Sequence, residues 1–199
     1  MEKQLLVIPC CSRKLKGGVP KHQSETFFES TEYVPNLIAA REKIKRNHQV
    51  IDQNSYMSAW DRYDGGLYRV IKEEQALINR LFEHGVIDIL IVSAFYGVIN
   101  HKMEINNYDL MMSQAGIAAK WGCAVSEAIS VYAHKNGIAH IHLFLAQNYM
   151  RVATACKNLT NSTDHWVYGL SGVNNINNHV GRKFIELIQS FEQSKTELC

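Results

Sequence analysis

The chain has 199 residues, 46% of them apolar, and a formal net charge of +2. That length and apolar share suit one sizeable α/β domain and exclude a disordered chain. The weak positive balance excludes nucleic-acid binding by bulk charge, so any basic patch must be local, and no apolar run is long enough to span a bilayer.

Met1-Glu2-Lys3-Gln4, followed by one short apolar run, reads as a strand start and not as a signal peptide, because no small-residue cleavage site follows. The five cysteines, Cys10, Cys11, Cys123, Cys156 and Cys199, are odd in number and scattered, without a Cys-x-x-Cys pair. They predict neither a disulfide framework nor a structural zinc site, and they point to a reducing, cytoplasmic setting.

Leu5-Leu6-Val7-Ile8 predicts a first buried strand stopped by Pro9. Cys10 to Gly18 then forms a loop of small residues and cations suited to an anion, but it has neither P-loop nor dinucleotide glycine spacing. Pro35 opens a predicted helix to about Arg46. Its exposed positions are expected to hold Arg41, Lys43, Lys45 and Arg46, either as a solvated face or as a phosphate-contacting stripe. Asp61 to Gly66 reads as a turn. Leu67 to Phe82 reads as one long amphipathic helix ended by Gly85.

Ile87 to Val92 is a nearly unbroken apolar run, as expected of a parallel strand covered on both faces. Gly116 to Gly122 reads as a break, and Val125 to Tyr132 as a helix closed by Gly137. Ala139 to Ala146 reads as a third strand. His140 and His142 share a face there, a pair able to ligate metal, but a polar strand face is preferred because no third ligand is near. Asn148 to Cys156 is a short predicted helix and His165 to Tyr168 a fourth strand. An Asn-rich loop from Gly169 to Asn178 precedes a last helix at Val180 to Phe191, and residues 193–199 are expected to fray. The alternation predicts a single three-layer α/β domain over residues 1–199, with a mainly parallel sheet of about four strands.

Ligands of such sheets bind beyond the carboxyl ends of the strands. That directs attention to Ser93-Ala94-Phe95-Tyr96-Gly97 and to Glu104 through Asp109, where polar and aromatic residues replace the apolar run.

Three stretches taken together resemble the YaaA-like superfamily and related short bacterial and phage domains. They are Pro9-Cys10-Cys11-Ser12-Arg13-Lys14, Tyr63-Asp64-Gly65-Gly66-Leu67-Tyr68, and Ser93-Ala94-Phe95-Tyr96-Gly97-Val98 with its downstream Tyr108-Asp109-Leu110. Gly181-Arg182-x-Phe184 echoes a C-terminal segment. Cys11 departs from the usual serine, and the stretches from Gly18 to Trp60 and from Asn174 to Asn178 are longer than the pattern. The resemblance implies DNA binding or nucleic-acid base modification, on a YaaA-like or uracil-DNA-glycosylase-like fold. It extends to anti-phage glycosylases that remove glucosylated hydroxymethylcytosine.

Cleaving an N-glycosidic bond requires a carboxylate that stabilises a cationic sugar and activates water. Asp109 is the first candidate, followed by Asp64 and Glu104, although a turn, a helix cap or an exposed strand also accounts for each. Lys14 and Arg13 are candidates to hold phosphate or assist the leaving base, with Ser12 beside them. A Schiff base on a lysine of lowered pKa is a minor alternative. A flipped base needs aromatic walls and polar readers. Tyr63, Tyr68, Phe95, Tyr96 and Tyr108 supply walls; Asn106 and Asn148 supply readers. Cys10, Gly65, Ser93 and Gly97 complete the binding set, and Arg151 and Arg182 join the helical cations as DNA-backbone contacts. The expectation is a DNA N-glycosylase without metal or diffusible cofactor, with duplex DNA as its partner and no membrane. The alternatives are a non-enzymatic DNA-binding stress protein and an N-glycosidase or transferase acting on free nucleosides or nucleotides.

Overall fold

The structure is a computed structural model that describes residues 2–20, 28, 34–156, 163–165 and 173–196. Leu5, Leu6, Val7 and Ile8 are all inaccessible within β1 (Gln4–Pro9). A strand with no polar face needs cover on both sides, and β1 has it. It lies inside a five-stranded sheet, between β3 (Ile87–Ser93) and β6 (His140–Leu143), both parallel to it. Beyond β6 runs β7 (Thr163–His165), also parallel, and β4 (Gly97–Asn100) closes the other edge antiparallel to β3.

The register assigns the helices to faces. Leu6 pairs with Ile89 and His142, whereas Leu5 pairs with Asp88 and Ile141; alternate residues of a strand point to opposite faces. His142 reaches Phe191 of α8 (Val173–Thr196), with ring centroids 6.0 Å apart. Asp88 accepts a 3.0 Å hydrogen bond from Tyr132 of α6 (Ala124–Lys135). So α6 and α8 cover opposite faces. With α8 pack α3 (Gly66–Ile71) and α4 (Gln75–Glu83). With α6 pack α1 (Pro35–Asn47) and α7 (Gln147–Ala153), and α5 (Ile117–Trp121) packs against α1 and α7. The result is three layers. A smaller antiparallel pair joins β2 (Tyr56–Ser58) to β5 (Glu104–Asn106), and α2 (Ala59–Arg62) follows β2 directly.

Across the sheet the parallel strands run β3-β1-β6-β7. The chain steps from β1 to β3, then crosses back to β6 and β7. Strand order therefore reverses between β1 and β6, and a crevice at the carboxyl ends is the usual ligand position in such sheets.

Several elements differ from expectation. The long helix after Gly66 is two helices joined by a 3₁₀ turn at Lys72–Glu74. There Lys72 Nζ folds back onto Tyr63 O (3.1 Å), and Gln75 Oε1 accepts the Trp60 indole N–H (2.7 Å). The glycine-bounded break contains α5. The Asn-rich stretch expected as loop is the first turns of α8, which continues to Thr196 through the tail expected to fray. The fourth strand lies at Thr163–His165, and residues 166–168 fall outside the described set. His142 is buried and bonds Gln4 Oε1 (3.0 Å), and no cluster of metal-ligating side chains occurs among the described residues. No helix among the described residues is long and apolar enough to cross a membrane.

Cysteine spacing misled. Cys123 and Cys156 form a disulfide with Cα atoms 5.4 Å apart, one just before α6 and the other just after α7. Packing of α6 on α7 brings together residues 33 apart in sequence, which spacing alone does not reveal. The reducing setting inferred from the cysteines loses that support. Reducing this bond is expected to lower stability by about 2–4 kcal/mol, the range for loops of this order. Thermal unfolding of the Cys123→Ser/Cys156→Ser variant checks it, and an unchanged Tm would contradict it.

His101 adds a pH dependence. Its ring stacks on Phe82 at 4.3 Å, its Nδ1 faces Ile89 O at 3.3 Å, and burial pushes its pKa from 6.5 down to about 4. The unfolded chain takes up that proton near its ordinary pKa, and the folded chain does so only near the lower value. Stability from this group is therefore complete above about pH 6.5 and falls, on the order of 3 kcal/mol, as pH drops to about 4. Urea unfolding at pH 7 and pH 4.5 is expected to show the loss in the parent chain and a smaller one in His101→Phe.

Candidate functional site

Beyond β1 the chain turns out of the sheet and pairs with the segment leaving α2. Leu15 N donates to Arg62 O (2.8 Å), Asp64 N donates to Arg13 O (3.2 Å), and Lys14 bridges Tyr63. Extended pairing sends neighbouring side chains opposite ways. Arg13 turns to Asp64, with its Nε 2.8 Å from Oδ2. Lys14 turns to the tyrosines instead, its ammonium 4.0 Å from the centre of the Tyr108 ring and 5.9 Å from that of Tyr63.

Under Lys14 lies a closed hydroxyl chain. Ser93 Oγ accepts from the amides of Phe95 (3.2 Å) and Tyr96 (3.0 Å). With both lone pairs engaged, its proton goes to Tyr108 Oη (2.9 Å), and the Tyr108 and Tyr63 hydroxyls share a further hydrogen bond of 2.7 Å. Burial holds both phenols far above their ordinary pKa, so they stay protonated. Tyr68 donates to Pro9 O (3.0 Å), and Cys10 Sγ meets Tyr149 Oη (3.2 Å). Tyr63, Tyr68, Ser93 and Tyr108 are inaccessible or nearly so. They form the floor of the site, not walls open to a ligand.

The exposed groups above this floor are few. Ser12, Arg13 and Asn148 are exposed, Lys14 is half-buried, and Asp109 is exposed next to Tyr108. Burial lowers the Lys14 pKa, against the raising influence of Cys10, Cys11 and Asp109. Asp64 lies between Arg13 and Arg69 (3.0 Å); the bond from Arg69, then the two positive charges, hold its carboxyl below the usual range. A carboxylate held this way anchors arginines and accepts a proton poorly. Burial pushes the Cys11 thiol up to about 11, which leaves it inert; its sulfur donates to Arg13 O (2.9 Å) and accepts from Gly65 N (3.2 Å). Gly65 is needed for that approach, since a Cβ there would lie 2.7 Å from Cys11 Cβ. Residues 9–13 and 64–69 line a cleft of about 310 Å³.

The rest of the predicted set lies in a second cleft of about 750 Å³, between the later turns of α1 and the β2–β5 pair. Phe95, Tyr96, Glu104 and Asn106 border it. Asn106 is almost fully buried, and its amide nitrogen faces the carbonyls of Asp52 (2.7 Å) and Ser55 (2.5 Å) while its oxygen accepts from Tyr56 Oη (3.2 Å). It holds a loop together. Gly97 has φ +73° at the start of β4, where a Cβ would lie 2.7 Å from both Leu37 and Trp121. Its role is close packing.

The expected cationic stripe is not continuous. Arg41 is 3% exposed and donates to the carbonyls of Tyr96 (2.8 Å), Phe28 (2.9 Å) and Val98 (3.2 Å), so it is enclosed and cannot reach a phosphate. Lys43, Lys45 and Arg46 are exposed, with Lys45 3.1 Å from Glu42. Arg151 is exposed on α7, and Arg182 is exposed on α8, across the sheet.

Two residues escaped the sequence reading. Arg62, wholly buried, gathers the carbonyls of Leu15 (2.7 Å), Gly17 (2.9 Å) and Ser55 (2.8 Å), and nothing in its turn-like surroundings signals that. Tyr149 stands just beyond β6, where the strand-end rule applied to β3 would have found it.

No protein-family model matches the chain, and a search of curated proteins finds no match.

Proposed function

We propose that the protein cleaves the N-glycosidic bond of a modified base in DNA, with the reacting groups at the carboxyl edge of β1 and β3. The observation that carries this reading is the seat of the Lys14 ammonium, 4.0 Å from the centre of the Tyr108 ring, with the exposed Asp109 next to Tyr108 in the chain. Of the four catalytic candidates, Asp64 is engaged by two arginines and Glu104 borders the other cleft, whereas Lys14 sits over the Tyr108 ring and the charge of the exposed Asp109 acts to raise its pKa. A carboxylate beside the anomeric carbon stabilises positive charge on the sugar, and a cation opposite assists departure of the base. The cleft of about 310 Å³ bordered by Ser12 and Arg13, the residues just before Lys14 in the chain, is at the lower end of small-molecule sites and has the size for one extruded base. The DNA part of the reading comes from the resemblance to YaaA-like domains.

A second reading, an N-glycosidase or transferase acting on free nucleosides, is favoured by one observation. The cations expected to follow a DNA backbone are dispersed over helices on both faces of the sheet, and one of them is enclosed. The test incubates the protein with unmodified, uracil, hydroxymethylcytosine and glucosyl-hydroxymethylcytosine DNA and with the matching nucleosides. Free base is then measured by mass spectrometry. Release from DNA supports the first reading and release only from nucleosides the second. Salt-dependent DNA binding without release would leave a non-enzymatic binder.

A further inference from the structure

We infer that the cleft of about 310 Å³ takes a phosphate ester between Arg13 and Arg69, so that the substrate is a nucleotide and not a bare nucleoside. The inference deepens the N-glycosidase reading above and rests on it for the attached sugar and base. Its ground is one carboxylate shared by two guanidinium groups. Arg13 Nε lies 2.8 Å from Asp64 Oδ2, and Arg69 donates to the same carboxylate through Nη2 at 3.0 Å and Nε at 3.4 Å. Asp64 offsets one of the two positive charges and leaves the other. A guanidinium carries five N–H donors. Both terminal nitrogens of Arg13 and Nη1 of Arg69 have no hydrogen-bond partner among the described residues. The two side chains are 62% and 51% exposed, so those donors are within reach of a ligand.

Planar guanidinium forks match the oxygens of a phosphate and bind it more strongly than neutral donors do. Asp64 holds the two forks beside each other before a ligand arrives, which lowers the ordering cost of binding. The cleft itself favours an anion. Asp64 is its only carboxylate among the described residues, and Ser12 and Asn177 of α8 add polar side chains to its lining. The larger cleft is a poorer choice. There Glu42 and Glu104 offset Arg41 and Lys45, and Arg41 is engaged by three backbone carbonyls. The small cleft also exceeds what a phosphate group alone requires, and the remainder admits the sugar and base joined to it.

The experiment titrates the full chain with inorganic phosphate, deoxycytidine, deoxycytidine 5′-monophosphate and a short single-stranded oligodeoxycytidylate, and reads affinity by calorimetry. The expected result is that a phosphate-bearing form binds about ten-fold or more tighter than the nucleoside, and that inorganic phosphate competes with it. Tightening by the monophosphate marks a free nucleotide, and tightening by the oligonucleotide alone marks a DNA strand; either supports the inference. Arg13→Gln and Arg69→Gln are each expected to lose the preference with thermal unfolding unchanged. Arg69→Lys, which keeps the charge without the fork, should recover only part of it. Lys120→Gln removes an exposed cation on α5 and should leave every affinity as it was. Equal affinity for the nucleoside and both phosphate forms would overturn the inference, as would no binding of any phosphate form. A preference that survives in both Arg13→Gln and Arg69→Gln would overturn it too. Base release from the nucleoside as fast as from its phosphates would overturn it and leave the N-glycosidase reading standing. An arginine-dependent phosphate preference without base release from any substrate would uphold the site and remove that reading.

Discussion

Replacing Arg62 by Met is expected to destabilise the fold by about 3 kcal/mol or more, because it leaves several buried carbonyls without their donor. Arg62 is inaccessible, and its guanidinium closes onto the carbonyls of Leu15, Gly17 and Ser55, with that of Ile105 in β5 at 3.5 Å. Methionine fills most of the volume and satisfies none of them, and each orphaned buried acceptor costs about 1–3 kcal/mol. A domain of this kind has about 5–15 kcal/mol in total, so the variant should unfold at markedly lower urea. Arg62→Lys should recover little, because one ammonium cannot span carbonyls that a planar fork reaches together. The effect should extend to the site. Leu15 and Gly17 belong to the loop that carries Lys14, and loosening them removes Lys14 from the Tyr108 ring. A destabilisation below about 1 kcal/mol would show that the network contributes little.

Asp109→Asn is expected to reduce base release by about a hundred- to ten-thousand-fold while leaving substrate binding within a few-fold, as for loss of a charge that acts mainly in the transition state. Asparagine keeps size and hydrogen bonding and removes only the charge. Asp64→Asn should behave in the opposite way. Its carboxylate is engaged by Arg13 and Arg69, so substitution should loosen the cation pair and weaken binding with a smaller effect on turnover. Single-turnover release with saturating protein separates the two. Equal losses for both variants would contradict the distinct roles.

Apolar runs made much of the sheet legible. Leu5 to Ile8 and Ile87 to Val92 need cover on both faces, and that need leads to parallel strands between helical layers. The same rule directed attention to the carboxyl ends, where Lys14, Ser93 and Tyr108 meet. What the sequence concealed was direction and depth. Nothing local shows that Arg13 and Lys14, adjacent in the chain, turn to different partners, because that follows from pairing with Arg62–Asp64 across a long loop. Tyr63 and Tyr108 look like ligand-facing aromatics in sequence, yet their hydroxyls satisfy each other underneath. Arg41 occupied a helix face that reads as exposed until β4 and the loop before it close over it. The disulfide and β4 were hidden for the same reason, since both depend on tertiary packing and not on local pattern.

The most direct measurement presents one modified base in three forms, in duplex DNA, in single-stranded DNA and as the free nucleoside, and follows liberated base by mass spectrometry with the parent chain and Asp109→Asn. Cleavage at the carboxyl edge predicts base release from DNA, matched by abasic sites and lost in Asp109→Asn. No release from any of the three forms, with the protein folded and still able to bind duplex, would contradict it.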